Sequence, residues 1–270
     1  MSTYKTEGII IKRNNFLESS LILDIYTKNC GKIEAVARSA RKAKGKLKGH
    51  LELFLWTELI LAHGKNIDTI TSSLTIESFS SLRNNLKLSY GAYYILELVD
   101  KMTAEEYQDE RIFYLLKRVL LFLDKLANKK LSLRGDSRND RNILILLFQI
   151  NLLDLTGFSP VLNKCVFCGK PIKPDRNRFS FSMGGVVGNE CSLIKSSDIS
   201  ISDNAIKLLR LFQFKNDNLK GYNKHLDKCF EIIGKLKADQ KLVSDNVFLM
   251  NKFIEFNAER KIKGFEFLKY

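Results

Sequence analysis

The sequence predicts an α+β fold in which a small N-terminal β-barrel precedes an α-helical domain. Up to about residue 80, β-branched and aromatic residues alternate in part with polar ones, and beyond it apolar residues recur at helical spacing. A segment at about 157–200 interrupts the helical pattern with three prolines and a cysteine pair. The 270 residues, 45% of them hydrophobic, can bury one large core or two smaller ones. We therefore predict domains at 1–80 and 81–270, with the cysteine segment inserted in the second.

Five short segments of the first domain read as strands. Turn residues at 29–31 and 63–66 stand where tight hairpins would be needed. The predicted strands are 8–12, 21–27, 32–38, 54–62 and 68–77. Five strands joined by a basic connection favour an OB-type barrel, although an SH3-like barrel fits the pattern nearly as well.

The helices of the second domain follow from apolar spacing and from capping residues. Helices are predicted over 92–102, 112–126, 143–155 and 226–236, with a polar loop at 131–140 and a stop at Gly157. Ser202 or Asp203 can cap another helix that runs to Phe214. Ser244 or Asp245 can cap the last one.

The charge of the chain is positive and uneven. The formal net charge is +14, and residues 1–50 hold eleven Lys or Arg against four Asp or Glu. Six basic residues and no acidic one lie in the segment from Arg38 to Lys48, namely Arg38, Arg41, Lys42, Lys44, Lys46 and Lys48. Such a segment gains free energy by displacing counterions from a nucleic-acid backbone. A lysine-rich run can equally be a solvated surface, so both interpretations stay open at this point.

The five cysteines suit a reducing compartment better than a disulfide framework. Cys165 and Cys168 have the spacing of a zinc knuckle, but the second pair is incomplete, because Gly188 stands where a first cysteine would precede Cys191. Three thiolates could hold zinc with a remote fourth ligand such as His225 or Cys229. The alternative is a zinc-ribbon-like loop that needs no metal and is held by packing of Val166, Phe167, Phe179, Phe181 and Val187.

Catalytic motifs are absent from the sequence, which favours binding over turnover. It contains no phosphate-binding glycine loop, no H-E-x-x-H and no G-x-S-x-G, and its three histidines stand alone. A metal-dependent DNA-processing enzyme and an OB-fold RNA-binding module remain as alternatives. The longest apolar run, 143–148, is too short to span a membrane, and cytoplasm is the expected location.

Four aromatic residues of the barrel segment could stack on unpaired bases: Phe16, Tyr26, Phe54 and Trp56. A small barrel fills its interior with such side chains, so we expect one of the four to face a ligand.

The residue pattern resembles the RecO family of bacterial recombination mediators over nearly the whole chain. The most specific stretch is Leu153-x-x-x-Gly157-Phe158-Ser159-Pro160-x-Leu162-x-x-Cys165-x-x-Cys168-Gly169. It is supported by Gly8-Ile9-Ile10-Ile11, Phe16-x-Glu18-Ser19, Gly31-Lys32-Ile33, Ala35-Val36-Ala37-Arg38-Ser39-Ala40-Arg41 and Glu97-Leu98-Val99-Asp100.

The resemblance implies an N-terminal OB domain, a helical domain and, in some members, a four-cysteine zinc module. It implies binding to single- and double-stranded DNA, to the acidic C-terminal tail of single-stranded DNA-binding protein (SSB), and to RecR. The DNA-binding residues implied are Lys12, Arg13, Arg38, Arg41, Lys42, Lys44, Lys46 and Lys48. Zinc would use Cys165, Cys168 and Cys191, and Gly188 departs from the four-cysteine pattern. The expected function is annealing of complementary strands and loading of recombinase, in a cytoplasmic protein associated with the nucleoid.

Overall fold

A computed structural model describes residues 2–42, 47, 49–105, 107–128, 137–191, 198–214 and 218–269. The chain forms two compact units. The first comprises Met1–Ser132 together with Lys263–Tyr270, and the second comprises Leu133–Ile262. The α+β class predicted from the sequence is confirmed, since a five-stranded barrel comes first and helices follow it.

Five strands close into a barrel in the first unit. They are β1 (Thr3–Phe16), β2 (Ser20–Thr27), β3 (Gly31–Ala37), β4 (Trp56–Ala62) and β5 (Asp68–Glu77). Their order around the barrel is β1-β2-β3-β5-β4, with β3 and β5 parallel and the other neighbours antiparallel. A five-stranded barrel of this kind is OB-like. Each predicted strand overlaps an observed one, but β1 extends beyond the predicted 8–12 at both ends.

The barrel interior is filled by the inward residues of every strand, as the alternation in the sequence requires. This core comprises Ile10, Leu21, Leu23, Ile25, Ala35, Ala37, Leu59, Leu61 and Ile70, with Ala40, Leu51 and Leu55 from the connection after β3. The turn into β3 needs a glycine. Gly31 has φ +66°, and a Cβ there would lie 2.3 Å from the Tyr107 carbonyl oxygen.

The described residues of the first unit also form three helices: α1 (Ser80–Arg83), α2 (Leu86–Met102) and α3 (Glu110–Ala127). Asn85 caps α2 by accepting from the Leu88 N–H at 3.2 Å. Asp109 caps α3 by accepting from the Arg111 N–H at 2.9 Å. A 3₁₀ helix, Lys263–Lys269, returns to α2, where Glu97 accepts from the Lys263 N–H at 3.0 Å.

Where it is described, the second unit combines four α-helices with a small sheet. The helices are α4 (Ser137–Leu155), α5 (Asp203–Phe212), α6 (Leu219–Lys235) and α7 (Gln240–Ala258). The sheet has the order β7-β6-β8, from β6 (Arg178–Ser180), β7 (Gly185–Val187) and β8 (Ile199–Ser200). Ser202 caps α5 through a 3.2 Å bond from the Ala205 N–H, as the sequence predicted.

Several helices begin earlier than the sequence predicted: α2 starts at Leu86 rather than 92, and α6 starts at Leu219 rather than 226. The segment from Ser137 to Asn142, predicted as loop or left unassigned, is the first part of α4, and its Arg141 is 1% exposed. The start of α7 is Gln240, because Asp239 rather than Ser244 or Asp245 caps it, at 3.1 Å from the Leu242 N–H. The differences at α4 and α7 arise from reading polar residues as helix ends when the fold keeps them inside a helix.

Candidate nucleic-acid interface and metal centre

The turn that follows β3 presents cations to solvent. Arg38, Arg41 and Lys42 are exposed, and within the described part of the chain none of them has a carboxylate partner. The turn itself is anchored, since Ala40 is buried in the barrel core and the Arg41 N–H donates to the Ser19 carbonyl at 3.0 Å. We call Arg38, Arg41 and Lys42 the basic turn. The other predicted contacts, Lys44, Lys46 and Lys48, lie outside the described residues.

Lys12 and Arg13, the two predicted contacts on β1, are already paired. The Lys12 ammonium lies 2.9 Å from Asp24, and the Arg13 guanidinium lies 2.9 Å from Glu52. The hydrogen bond to Asp24 raises the pKa of Lys12 above its ordinary value, against an opposing effect of burial. Each pair cancels a positive charge locally, so these two residues offer less to a polyanion than the basic turn does.

Of the four aromatic candidates, only Phe16 is both exposed and without a ring partner among the described residues. Tyr26 and Phe54 are buried. Trp56 donates to Glu7 at 3.2 Å, and its ring is covered by the Lys117 ammonium at 4.2 Å.

Leu17, beside Phe16 at the tip of the β1–β2 hairpin, was missed by the sequence reasoning. It is 74% exposed and has φ +50°, a left-handed conformation that favours glycine. An isolated leucine carries no sequence signal for either property.

The cysteine cluster forms as the spacing predicted. The sulfur atoms of Cys165, Cys168 and Cys191 all lie within 4.8 Å of one another. Cys165 and Cys168 lie on a knuckle closed by the bond from the Gly169 N–H to the Cys165 carbonyl at 2.9 Å. Cys191 comes from a 3₁₀ turn, Asn189–Cys191. The Gly188 N–H reaches the Cys165 sulfur at 3.4 Å, which ties the two segments together.

The donor set fits a soft divalent cation such as zinc. Burial disfavours the Cys165 thiolate, but the backbone N–H groups of Cys168, Gly188 and Phe167 outweigh it and lower the pKa of Cys165 to about 7. At Gly188, where a fourth cysteine would complete the set, a Cβ would lie 3.8 Å from Ile172 and 3.9 Å from the Cys165 Cβ. The position therefore has room for a side chain, and the chain lacks only the fourth sulfur.

The remote ligands considered from the sequence are not brought to this cluster. His225 and Cys229 both lie on α6, where the Cys229 sulfur is 3.4 Å from the His225 Nε2. Burial raises the pKa of the Cys229 thiol to about 12, which keeps it neutral. Of the residues expected to pack the loop without metal, Phe179 and Val187 are buried, whereas Phe167 is 61% exposed.

Comparison with known proteins decides the family. Residues 1–79 match the family model described as "Recombination protein O N terminal", and residues 83–237 match "Recombination protein O C terminal". The chain belongs to the RecO family. The resemblance noted in the sequence is thereby confirmed.

Curated relatives cover almost the same length. A protein of Dehalococcoides mccartyi is 34% identical over 97% of this chain and 93% of its own. A Roseiflexus protein is 32% identical over 98% of this chain and 84% of its own, and one from Alkaliphilus metalliredigens is 30% identical over 95% and 94%. All three are named "DNA repair protein RecO". Within the part of the chain that is described, no helix is long and apolar enough to cross a membrane.

Proposed function

We propose that this RecO-family chain binds single- and double-stranded DNA, anneals complementary strands, and helps load recombinase onto SSB-coated single strands in RecF-pathway recombinational repair. The single observation that carries this proposal is the basic turn on a closed OB-like barrel, exposed and without carboxylate partners among the described residues. The relatives named as DNA repair proteins support it. No covalent step is part of the function proposed.

The mechanism of annealing is charge screening. Two strands repel each other through their phosphates, and a cationic surface that holds one strand loosely lowers the barrier to the approach of the other. If about six phosphates are neutralised, the logarithm of the affinity for single strands falls with the logarithm of salt at a slope of about −4. Between 50 and 200 mM salt, affinity then falls roughly 300-fold. A slope near zero would contradict DNA binding through phosphates.

Two protein partners belong to the proposal: the acidic C-terminal tail of SSB and RecR. An acidic peptide that ends in apolar residues needs an apolar pocket with cations at its rim. The expected location is the cytoplasm, in association with the nucleoid. Titration of the tail peptide by calorimetry tests the first partner, and absence of heat at micromolar concentrations would contradict it.

Zinc is the cofactor that the cysteine cluster would take. Cys165, Cys168 and Cys191 would hold the ion as thiolates, and the ion would supply a structural cross-link between the knuckle and the 3₁₀ turn. The hydrogen bond from the Gly188 N–H to the Cys165 sulfur would orient one of these ligands.

The deciding experiment is annealing of complementary oligonucleotides already coated with their cognate SSB. We expect the chain to accelerate annealing of coated strands and the variant Arg38→Ala, Arg41→Ala, Lys42→Ala to lose most of that acceleration. Naked strands serve as the reference, because plain DNA binding does not distinguish a mediator from other OB-fold proteins. Competition between single-stranded DNA and RNA of equal length excludes an RNA-binding module if DNA is preferred.

A further inference from the structure

The tip of the β1–β2 hairpin exposes two apolar side chains side by side. Phe16 ends β1 at 37% exposure, and Leu17, the first residue of the turn, is 74% exposed. Phe16 pairs with Ser20 in the strand register, so its backbone is fixed by the sheet. Within the described residues, the Phe16 ring contacts no other ring and no cation. We call Phe16 and Leu17 the hairpin tip.

The backbone of the hairpin tip is held in an unfavourable conformation. Leu17 has φ +50°, in the left-handed region where a side chain crowds the following carbonyl. Glycine and asparagine adopt this region with less strain, so the leucine side chain is held there at a cost in free energy. Strain of this kind at an exposed apolar residue is typical of positions that contact a ligand.

The hairpin tip and the basic turn are neighbours in the first unit. The Arg41 N–H donates to the Ser19 carbonyl at 3.0 Å, and Leu21 of β2 pairs with Ala37 of β3 immediately before the basic turn. An apolar and aromatic surface therefore stands directly beside three exposed cations. A single strand of nucleic acid is complementary to both surfaces: the faces of its bases are flat and apolar, and its backbone is anionic.

We propose that the hairpin tip contacts the bases of a single strand, with Phe16 stacked on an unpaired base and Leu17 packed against the next one. The basic turn holds the phosphates of the same strand. This inference rests on the proposed DNA binding and deepens it by assigning a base contact.

The charge of the hairpin tip supports this division of contacts. Glu18 follows Leu17 and is exposed, so its carboxylate repels phosphates from the tip itself. Bases carry no net charge and are not excluded in this way. The backbone of the strand is therefore directed to the basic turn and its bases to Phe16.

A stacking contact also suits annealing. The ring of Phe16 covers one face of a base and leaves its Watson–Crick edge open to a complementary strand. Every base has such a face, so the contact tolerates any sequence. A base held by its edge through hydrogen bonds would have to be released before it could pair.

The test compares an ordinary single strand with one of equal length that carries abasic sites, using the full chain. For Phe16→Ala we expect affinity for the ordinary strand to fall between about fivefold and 150-fold, the range found for loss of one base–aromatic stack. The salt slope should not change, because the slope counts phosphate contacts. On the abasic strand, wild type and Phe16→Ala should bind equally.

Two further variants separate stacking from simple hydrophobicity. Phe16→Tyr should retain the affinity for the ordinary strand, and Phe16→Leu should lose most of the preference over the abasic strand. Equal weakening of Phe16→Ala on both strands, or no weakening on either, would overturn the base contact. Thermal unfolding and Trp56 emission confirm that each variant is folded. Failure of the proposed function would give a different result. The affinity of wild type for both the ordinary and the abasic strand would then show no dependence on salt.

Discussion

The ammonium of Lys117 on α3 lies 4.2 Å from the centre of the Trp56 ring at the start of β4. Burial lowers the pKa of Lys117, and the ring face compensates part of that cost. Lys117→Met should change the emission of Trp56, the single tryptophan of the chain, because it removes the ammonium that lies over the ring. Lys125→Met, at an exposed position of the same helix, should leave the emission unchanged.

The basic turn should determine a measurable part of the salt dependence. Replacing Arg38, Arg41 and Lys42 together by alanine removes three cations and should flatten the single-strand salt slope by about 2. The midpoint of thermal unfolding should stay nearly constant, because all three side chains are exposed. The matched control removes the same charge from α6 through Lys220→Ala, Lys224→Ala and Lys228→Ala. An equal effect of both triple variants would mean that net charge alone drives binding.

Gly188 should control metal affinity. Gly188→Cys places a fourth thiol where a Cβ has room, 3.9 Å from the Cys165 Cβ. Zinc affinity can be measured by competition with a chromogenic chelator. It should rise more than about 100-fold, the upper end of the effect of residues that only hydrogen-bond to a metal ligand, because a direct ligand is added. Gly188→Ser fills the same space without a soft ligand and should leave the affinity near that of wild type. Zinc should also raise the unfolding temperature of Gly188→Cys more than that of Gly188→Ser.

Leu17 should show opposite effects on stability and on binding. Leu17→Gly relieves a left-handed conformation and should raise the free energy of unfolding in urea by about 0.5–1 kcal/mol. Affinity for single strands should fall because the apolar contact is lost. Leu74→Gly is the control, since Leu74 is 62% exposed but lies in a regular strand, where glycine should destabilise. Destabilisation of Leu17→Gly to the same extent would show that the turn stores no strain.

Asp154, at the end of α4, should make stability depend on pH. Burial raises its pKa from 3.8 to about 6, although Ser159 and the Phe214 N–H, 2.9 Å away, donate to it. Between those values the native chain holds a proton that the unfolded chain releases, so stability falls as pH rises from about 4 to 6. Between about pH 4 and pH 6, the free energy of unfolding of wild type should fall by up to about 3 kcal/mol relative to that of Asp154→Asn. Asp245→Asn, at an exposed position of α7, should show no such difference.

The barrel could be predicted from the sequence because its signal is local. Alternation along each strand decides which side chains point inward, and turn residues such as those at 63–66 decide where strands end. The cysteine cluster was predicted for the same reason, since knuckle spacing already places two sulfurs together.

Long-range contacts and buried polar residues were beyond sequence reasoning. Asp24 and Glu52, which neutralise Lys12 and Arg13, lie 12 and 39 residues away from them. Arg141 lies outside both the predicted loop and the helix predicted at 143–155, yet its guanidinium is buried inside the second unit, 3.2 Å from the Asn142 side-chain oxygen. The conformation of Leu17 depends on how two strands meet, and no residue pattern encodes it.

The ion pairs of β1 have a consequence for how a strand would leave the protein. Asp24 and Glu52 lie 2.9 Å from Lys12 and Arg13 and act as built-in counterions, so a phosphate that displaced either carboxylate would on leaving be replaced by it. No salt ion has to diffuse in to refill these two positions. If a strand contacts β1 as proposed, such replacement would shorten the residence time of each phosphate and would let the strand shift its register without full release. A surface of this kind suits the pairing of complementary strands better than tight, long-lived binding of one strand.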